Sequence, residues 1–173
     1  MQRRLVGVML LVLGAGVSCV QAETGKAVIK GTAADSTVAG TATLTDTPQG
    51  LRVVVQVEGV PPGEHGIHIH ELGSCEEAGK AAGGHYNPEH TPHGLLPKDG
   101  PAKAHSGDMG NITVGADGKG STDVVLPGVA LSTGAHTVKG RAVILHETMD
   151  DFGQPAGNAG GRIGCGTIEV TGP

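Results

Sequence analysis

The sequence predicts an all-β protein: about eight short antiparallel strands forming a sandwich or barrel, with two long loops that carry its chemistry. Three observations predict it. Short β-type runs recur along the chain, and beyond the first 22 residues no stretch places its apolar residues at helical spacing. Glycine is abundant, at 31 of 173 residues, and turn-forming clusters separate the runs. There is one Tyr, one Phe and no Trp, so the core must be built from Val, Ile, Leu and Ala.

The N-terminus stands apart from that domain. Arg3 and Arg4 precede an apolar stretch, Leu5 to Val17, that is too short for a comfortable membrane span. Val20-Gln21-Ala22 then supplies small residues at the positions a signal peptidase reads. Residues 1–22 are therefore read as a secretory signal, cleaved after Ala22, and residues 23–173 as the mature domain. Gly16-Val17-Ser18-Cys19 is a weak lipoprotein box, because Gly16 stands where a large aliphatic residue is expected, and Arg3-Arg4 hints weakly at the twin-arginine route. A free periplasmic protein is favoured over one lipid-anchored at Cys19.

Removing residues 1–22 takes away two arginines and no acid. The mature chain then has 10 Lys+Arg against 17 Asp+Glu, a net charge of −7. That charge argues against nucleic-acid or anionic-membrane partners. Cys19 leaves with the signal. Cys75 and Cys165 remain, and two cysteines in an exported chain read as one disulfide closing about 90 residues. The chain-entropy account gives such a closure roughly 4–5 kcal/mol.

The predicted strands are Ala27–Gly31, Val38–Leu44, Leu51–Val60, His65–Glu71, Gly110–Val114, Ser121–Leu126, Thr137–His146 and Gly166–Val170. Turns of the Pro61-Pro62-Gly63 and Asp117-Gly118 kind separate them. Two segments fall outside this plan: Leu72 to Asp108, and Glu147 to Gly164. A long irregular segment in a compact domain is either disordered or functional. Ordering the first costs on the order of 1–2 kcal/mol per residue. Its apolar content cannot meet that cost, whereas bound metal and a disulfide can.

The histidines sit where metal would be needed. In Gly66-Ile67-His68-Ile69-His70-Glu71, strand alternation puts His68 and His70 on one face and Ile67 and Ile69 toward a core. The first long loop holds His85, His90, His93, His105 and Asp108, and His146 ends the most apolar run, Ala142 to Leu145. Imidazole-rich sets select zinc, copper, iron or nickel over calcium or magnesium. His93, His105 and Asp108 with one further ligand suit tetrahedral zinc. His68, His70 and His146 suit a flatter nitrogen site of the copper kind.

These residues fall into six ordered blocks: Gly66–Glu71, Gly84–Pro88, His93-Gly94, His105–Asp108, His146–Asp151 and Gly157–Gly166. In them the chain resembles the bacterial copper–zinc superoxide dismutases over essentially the whole mature domain. The resemblance implies an eight-stranded antiparallel Greek-key barrel with one copper and one zinc per chain. It implies His68, His70, His85 and His146 as copper ligands, His85 bridging to zinc, and His93, His105 and Asp108 completing the zinc set. Asp150 would hydrogen-bond one ligand of each metal, by position His68 and His93. Arg162 would stand beside the open copper position, and Cys75–Cys165 would be the family disulfide.

The activity so implied is conversion of superoxide to oxygen and hydrogen peroxide, by alternate reduction and reoxidation of a copper ion bridged to zinc by a histidine. Arg162 and His85 would be the catalytic side chains, the first binding the small anion and the second handling a proton. The alternative is a non-catalytic exported protein that stores or passes on copper or zinc. Such a protein needs neither an anion-binding arginine nor a ligand shared by two metals. The Glu147–Gly161 loop is short, and after Glu147 its one long polar side chain is Gln154. Lys80, Lys98 and Lys103 are candidates for steering substrate, with solvated surface charge as the plainer reading. His65, His90 and His136 match no ligand. A homodimer is left open.

Overall fold

The structure, a computed structural model, describes residues 21–173. The segment 1–22 read as an export signal lies, apart from Gln21 and Ala22, outside the described residues. Eight strands form one closed antiparallel barrel: β1 (Thr24–Gly31), β2 (Ala39–Thr47), β3 (Gly50–Glu58), β4 (Gly63–His70), β5 (Asp108–Val114), β6 (Gly120–Leu126), β7 (Ala142–His146) and β8 (Arg162–Gly172). Around the barrel the order is β1-β2-β3-β6-β5-β4-β7-β8. The chain therefore crosses from β3 past two strands that come later in sequence, which is the Greek-key connection.

Alternation builds the wall. In β3, Leu51, Val53, Val55 and Val57 are buried while Arg52, Gln56 and Glu58 are exposed. The interior is filled by Val, Ile and Leu from all sides, with Leu44, Leu51, Ile67, Ile112, Leu126 and Leu145 fully enclosed. β4 and β7 depart from half-burial. All of β7 is buried, and so are His65 to His70 of β4. Their inner faces meet the core, and their outer faces lie beneath the two long loops. Ile67 and Ile69 face in, so His68 and His70 face out under that cover.

All eight strands are found where predicted, each with an end displaced by at least one residue, and in two of them an end moves by four or more. β7 begins at Ala142, not Thr137, because Gly140 at φ +73° turns the chain and Val138 N–H bonds back to the carbonyls of Ala130 and Leu131. β8 begins at Arg162, four residues before Gly166. Gly164, outside the predicted span, pairs with Gly31 on β1 and Leu145 on β7, and a Cβ there would lie 3.0 Å from Ile29 Cγ2.

The loop between β4 and β5 contains only a 3-10 turn, Lys80–Ala82, and a one-turn helix, α1 (Leu96–Asp99). Its order comes from ties to the barrel. The Ile69 N–H donates to Gly107 and the Tyr86 N–H to Ile69, both at 2.9 Å. Gly107 permits that approach, since a Cβ there would lie 2.1 Å from the Ile69 oxygen. Cys75 and Cys165 are joined, with Cα atoms 5.7 Å apart, fixing the loop to β8. The Arg141 guanidinium lies over the Tyr86 ring, 3.6 Å from its centroid, and its Nε–H donates to the Thr137 carbonyl. Among the described residues no helix is long and apolar enough to cross a membrane.

Candidate metal centre

Register places the outer residues of the site. Across β4–β7, His68 pairs with Ile144 and His70 with Ala142. Across β4–β5, His68 pairs with Asp108 at a register shift. His146 ends β7 opposite Arg162, which opens β8. The first loop brings in His85, bridged to His70, then His93 and His105. Two overlapping groups result: His68, His70, His85 and His146, and His85, His93, His105 and Asp108. Within each group the nitrogen or oxygen atoms on offer lie within 4.8 Å of one another.

Hydrogen bonds fix which ring atoms remain free. A carboxylate can only accept, so His68 Nε2–H donates to Asp150 Oδ2 at 2.8 Å. That leaves a lone pair on His68 Nδ1, which is buried without a partner. His70 Nδ1–H donates to the Gly83 carbonyl at 3.0 Å, turning its Nε2 toward His146 Nε2 at 3.3 Å. His93 Nε2–H donates to both oxygens of Asp150, at 2.9 and 3.0 Å. Its Nδ1 then faces Asp108 Oδ2 at 2.9 Å but makes no hydrogen bond. His85 Nδ1 and His105 Nδ1 lie 2.9 and 3.2 Å from Asp108 Oδ1.

Lone pairs aimed at one another in a buried space repel unless a cation lies between them. The second group, three imidazoles and a carboxylate, suits tetrahedral zinc, and the first, all imidazole, suits copper. The residues present therefore fit both metals. Burial pushes His68 down to about 4, against Asp150. It pushes His70 down to about 2 and His146 to about 3, helped by the positive charge of neighbouring histidines. These rings are neutral at neutral pH, as a metal ligand must be. Burial would raise Asp108, but His105, His85 and His93 hold it well below the usual carboxylate range.

Asp150 is itself held. Asn111 on β5 accepts the Asp150 N–H at 2.7 Å and donates to the Asp150 carbonyl at 2.9 Å. Gly157, at φ +76°, lies against this carboxylate, and a Cβ there would come 1.9 Å from Oδ1 and 2.7 Å from His93 Nε2. The sequence offered no sign of Asn111. His65, which matched no ligand, is buried, with its ring nitrogens facing the His146 and Pro61 carbonyls at 2.9 and 2.8 Å. His90 is exposed, and His136 pairs with the exposed Glu89.

A cleft of about 310 Å³ opens on the first group, lined on one side by His70, His85, His146 and Arg162 and on the other by Pro155 and Ala156. The Arg162 guanidinium donates to the carbonyls of Gly79 and Gly83, at 2.5 and 2.6 Å. Lys80, Lys98 and Lys103 are exposed. A larger concavity, about 730 Å³, on the outer face of β2, β3 and β6 contains none of the histidines.

A closed Greek-key barrel with two fused, histidine-rich groups and an arginine at the mouth defines a two-metal redox class of protein. The family described as copper/zinc superoxide dismutase (SODC) matches residues 38–168. The chain belongs to that family. It is similar to the "Superoxide dismutase [Cu-Zn]" of Deinococcus radiodurans, with 37% identity over 182 aligned positions, covering 98% of this chain and 99% of that one. Among solved structures it is similar to the clock protein EA4, with a TM-score of 0.76 and 36% identity, covering 87% of this chain and 96% of that one.

Proposed function

We propose that the chain is a superoxide dismutase in which His68, His70, His85 and His146 hold copper and His85, His93, His105 and Asp108 hold zinc. The observation that carries this reading is the pair of buried ring nitrogens without a hydrogen-bond partner, His68 Nδ1 and His93 Nδ1, each in a different group while Asp150 holds the other nitrogen of both rings. Family membership supports the activity. The overall change takes two superoxide ions and two protons to dioxygen and hydrogen peroxide.

Copper, when bound, supplies the one-electron couple, and zinc a fixed charge that orders the loop. The rest falls to the chain's own side chains. Arg162 attracts the anion into the cleft and presents N–H donors to it, against a mature net charge of −7 that would repel it. Gly79 and Gly83 carbonyls keep the guanidinium at the mouth. His85 Nδ1 faces Asp108, so its Nε2 is the atom available to carry a proton toward the cleft. Asp150 keeps His68 and His93 in one tautomer each. Pro155 and Ala156 line the cleft without adding charge.

The Cys75–Cys165 disulfide and the signal-type segment 1–22 together support an exported, periplasmic protein. Sedimentation of the mature chain reads out whether it pairs as a homodimer. The test of the activity is superoxide dismutation by the purified mature chain, with copper and zinc quantified on the same sample. Activity at about one of each metal per chain, lost on copper removal and regained on its return, is expected. Full metal content without activity would favour the metal-handling alternative.

A further inference from the structure

Gln154 is a long polar side chain in the middle of the short second loop. The structure gives it one partner residue. Gln154 Nε2–H donates to the His93 carbonyl at 2.8 Å, and its Oε1 accepts the His93 N–H at 3.0 Å. One amide thus takes up both main-chain groups of His93, as a neighbouring strand would. His93 needs this, because it lies in the first loop outside any strand or helix.

The same short segment holds His93 at two further points. Asp150 accepts from its ring, and Phe152 lies alongside that ring, with centroids 6.4 Å apart and planes 18° apart. Asn111 ties Asp150 to β5 by the same two-bond pattern that Gln154 makes with His93. A ring held only at Nε2 can still swing its Nδ1 as the main chain shifts. A second anchor at the backbone fixes both ends, and with them the direction of Nδ1. Directly after Gln154, Pro155 and Ala156 form the wall of the cleft.

We propose that Gln154 is a positioning residue: its amide sets the main chain of His93, so that the aim of Nδ1 and the start of the cleft wall depend on one contact. The inference rests on the zinc assignment of His93 made above and goes beyond it, since neither the ligand set nor Asp150 requires it.

The test uses the mature chain loaded with copper and zinc. The rate of zinc transfer to a coloured chelator is followed, together with copper retention and the melting temperature of the metal-free protein. Gln154→Leu keeps a branched side chain one atom shorter and removes both hydrogen bonds. Gln154→Glu keeps the acceptor and loses the donor. Zinc is expected to leave the Leu variant roughly tenfold faster than the wild type, with the Glu variant in between. Copper stays bound, and the metal-free melting temperature moves by less than about 2 °C. With cobalt in place of zinc, the visible bands of the Leu variant shift. Unchanged zinc release overturns the inference, as does loss of both metals with a fallen metal-free melting temperature. If the Leu variant does not fold, wild-type zinc release from the Glu variant overturns it equally. A wild type that takes up no zinc sinks the zinc assignment together with this inference. A wild type that holds zinc beside an unchanged variant sinks the role of Gln154 alone.

Discussion

His146 and Arg162 are partners across the β7–β8 ladder, at a register shift that ends one strand and opens the other. The shift puts a proposed copper ligand and the cationic side chain on one rim. Their spacing is therefore a property of the barrel wall, and the loop that lies over it need not set it.

Arg162→Ala is expected to keep both metals and to lower kcat/KM for superoxide by about 10- to 100-fold, the usual cost of losing a charged hydrogen-bond donor. The residual rate should also depend less steeply on ionic strength. Arg162→Lys should recover part of the rate, because the charge returns without the planar fork. Pulse-radiolysis or stopped-flow rates on metal-quantified samples check all three statements. An unchanged rate in the Ala variant would remove Arg162 from the mechanism.

Asp150 ties one ring of each group to a single carboxylate. In Asp150→Asn one oxygen becomes an N–H₂ that cannot accept: at the Oδ2 position it takes away the acceptor of His68, and at Oδ1 it faces the His93 N–H and leaves Oδ2 alone to serve both rings. Metal affinity should fall by about 10- to 100-fold, measured by competition against a chelator of known affinity. Retention of both metals at wild-type affinity would show that packing alone orients the rings.

The metal-free mature protein should be most stable at about pH 7, where the four unfolded histidines together bind about the one proton that folded His93 holds. Burial lowers His68, His70 and His146 to about 4, 2 and 3. Below about 6.5 the unfolded chain binds more protons than the folded one, so stability falls as pH drops toward those values. His93 acts in the opposite sense. Burial alone would lower it, but Asp108 and Asp150 raise it to about 9. Its contribution is complete below about 6.5 and is lost as pH rises through 9. Urea midpoints across this range should pass through a maximum, and a steady rise up to pH 9 would contradict the account. Bound zinc should cancel the alkaline limb, since it displaces the His93 proton.

Replacing Cys75 and Cys165 together by Ser should cost about 4–5 kcal/mol in a urea titration, for a closure spanning 90 residues. The loss should be largest in the metal-free protein, where only hydrogen bonds to the barrel and the Arg141–Tyr86 contact otherwise order the first loop. A cost under about 1 kcal/mol would mean that the loop's hydrogen bonds to β4 suffice without the covalent tie.

Strand positions were legible where apolar and polar residues alternate, as in β3, and where the turn chemistry is plain. Thr137 to Arg141 misled because Val138 is apolar and buried yet lies in a turn, and only the Lys139-Gly140 pair signalled it. Gly164 misled the other way, since glycine in a strand reads as loop until the close approach of Ile29 on β1 is seen. His68 and His70 could be read as a pair because strand period alone puts them on one face. Asn111, Gln154 and His65 could not be read. Each acts on a main-chain group of a residue distant in sequence, and a single sequence carries no trace of such a contact.

The Cys75–Cys165 bond closes a covalent ring that contains His85, His93, His105, Asp108, His146, Asp150 and Arg162. Much of that ring is exposed loop, the kind of backbone on which extracellular proteases act. A single cut between residues 76 and 164 still leaves one molecule, its new ends tethered through sulfur on one side and through the barrel on the other. A nicked chain should therefore migrate as two pieces only after reduction, and until then keep its metal-binding residues on one connected frame.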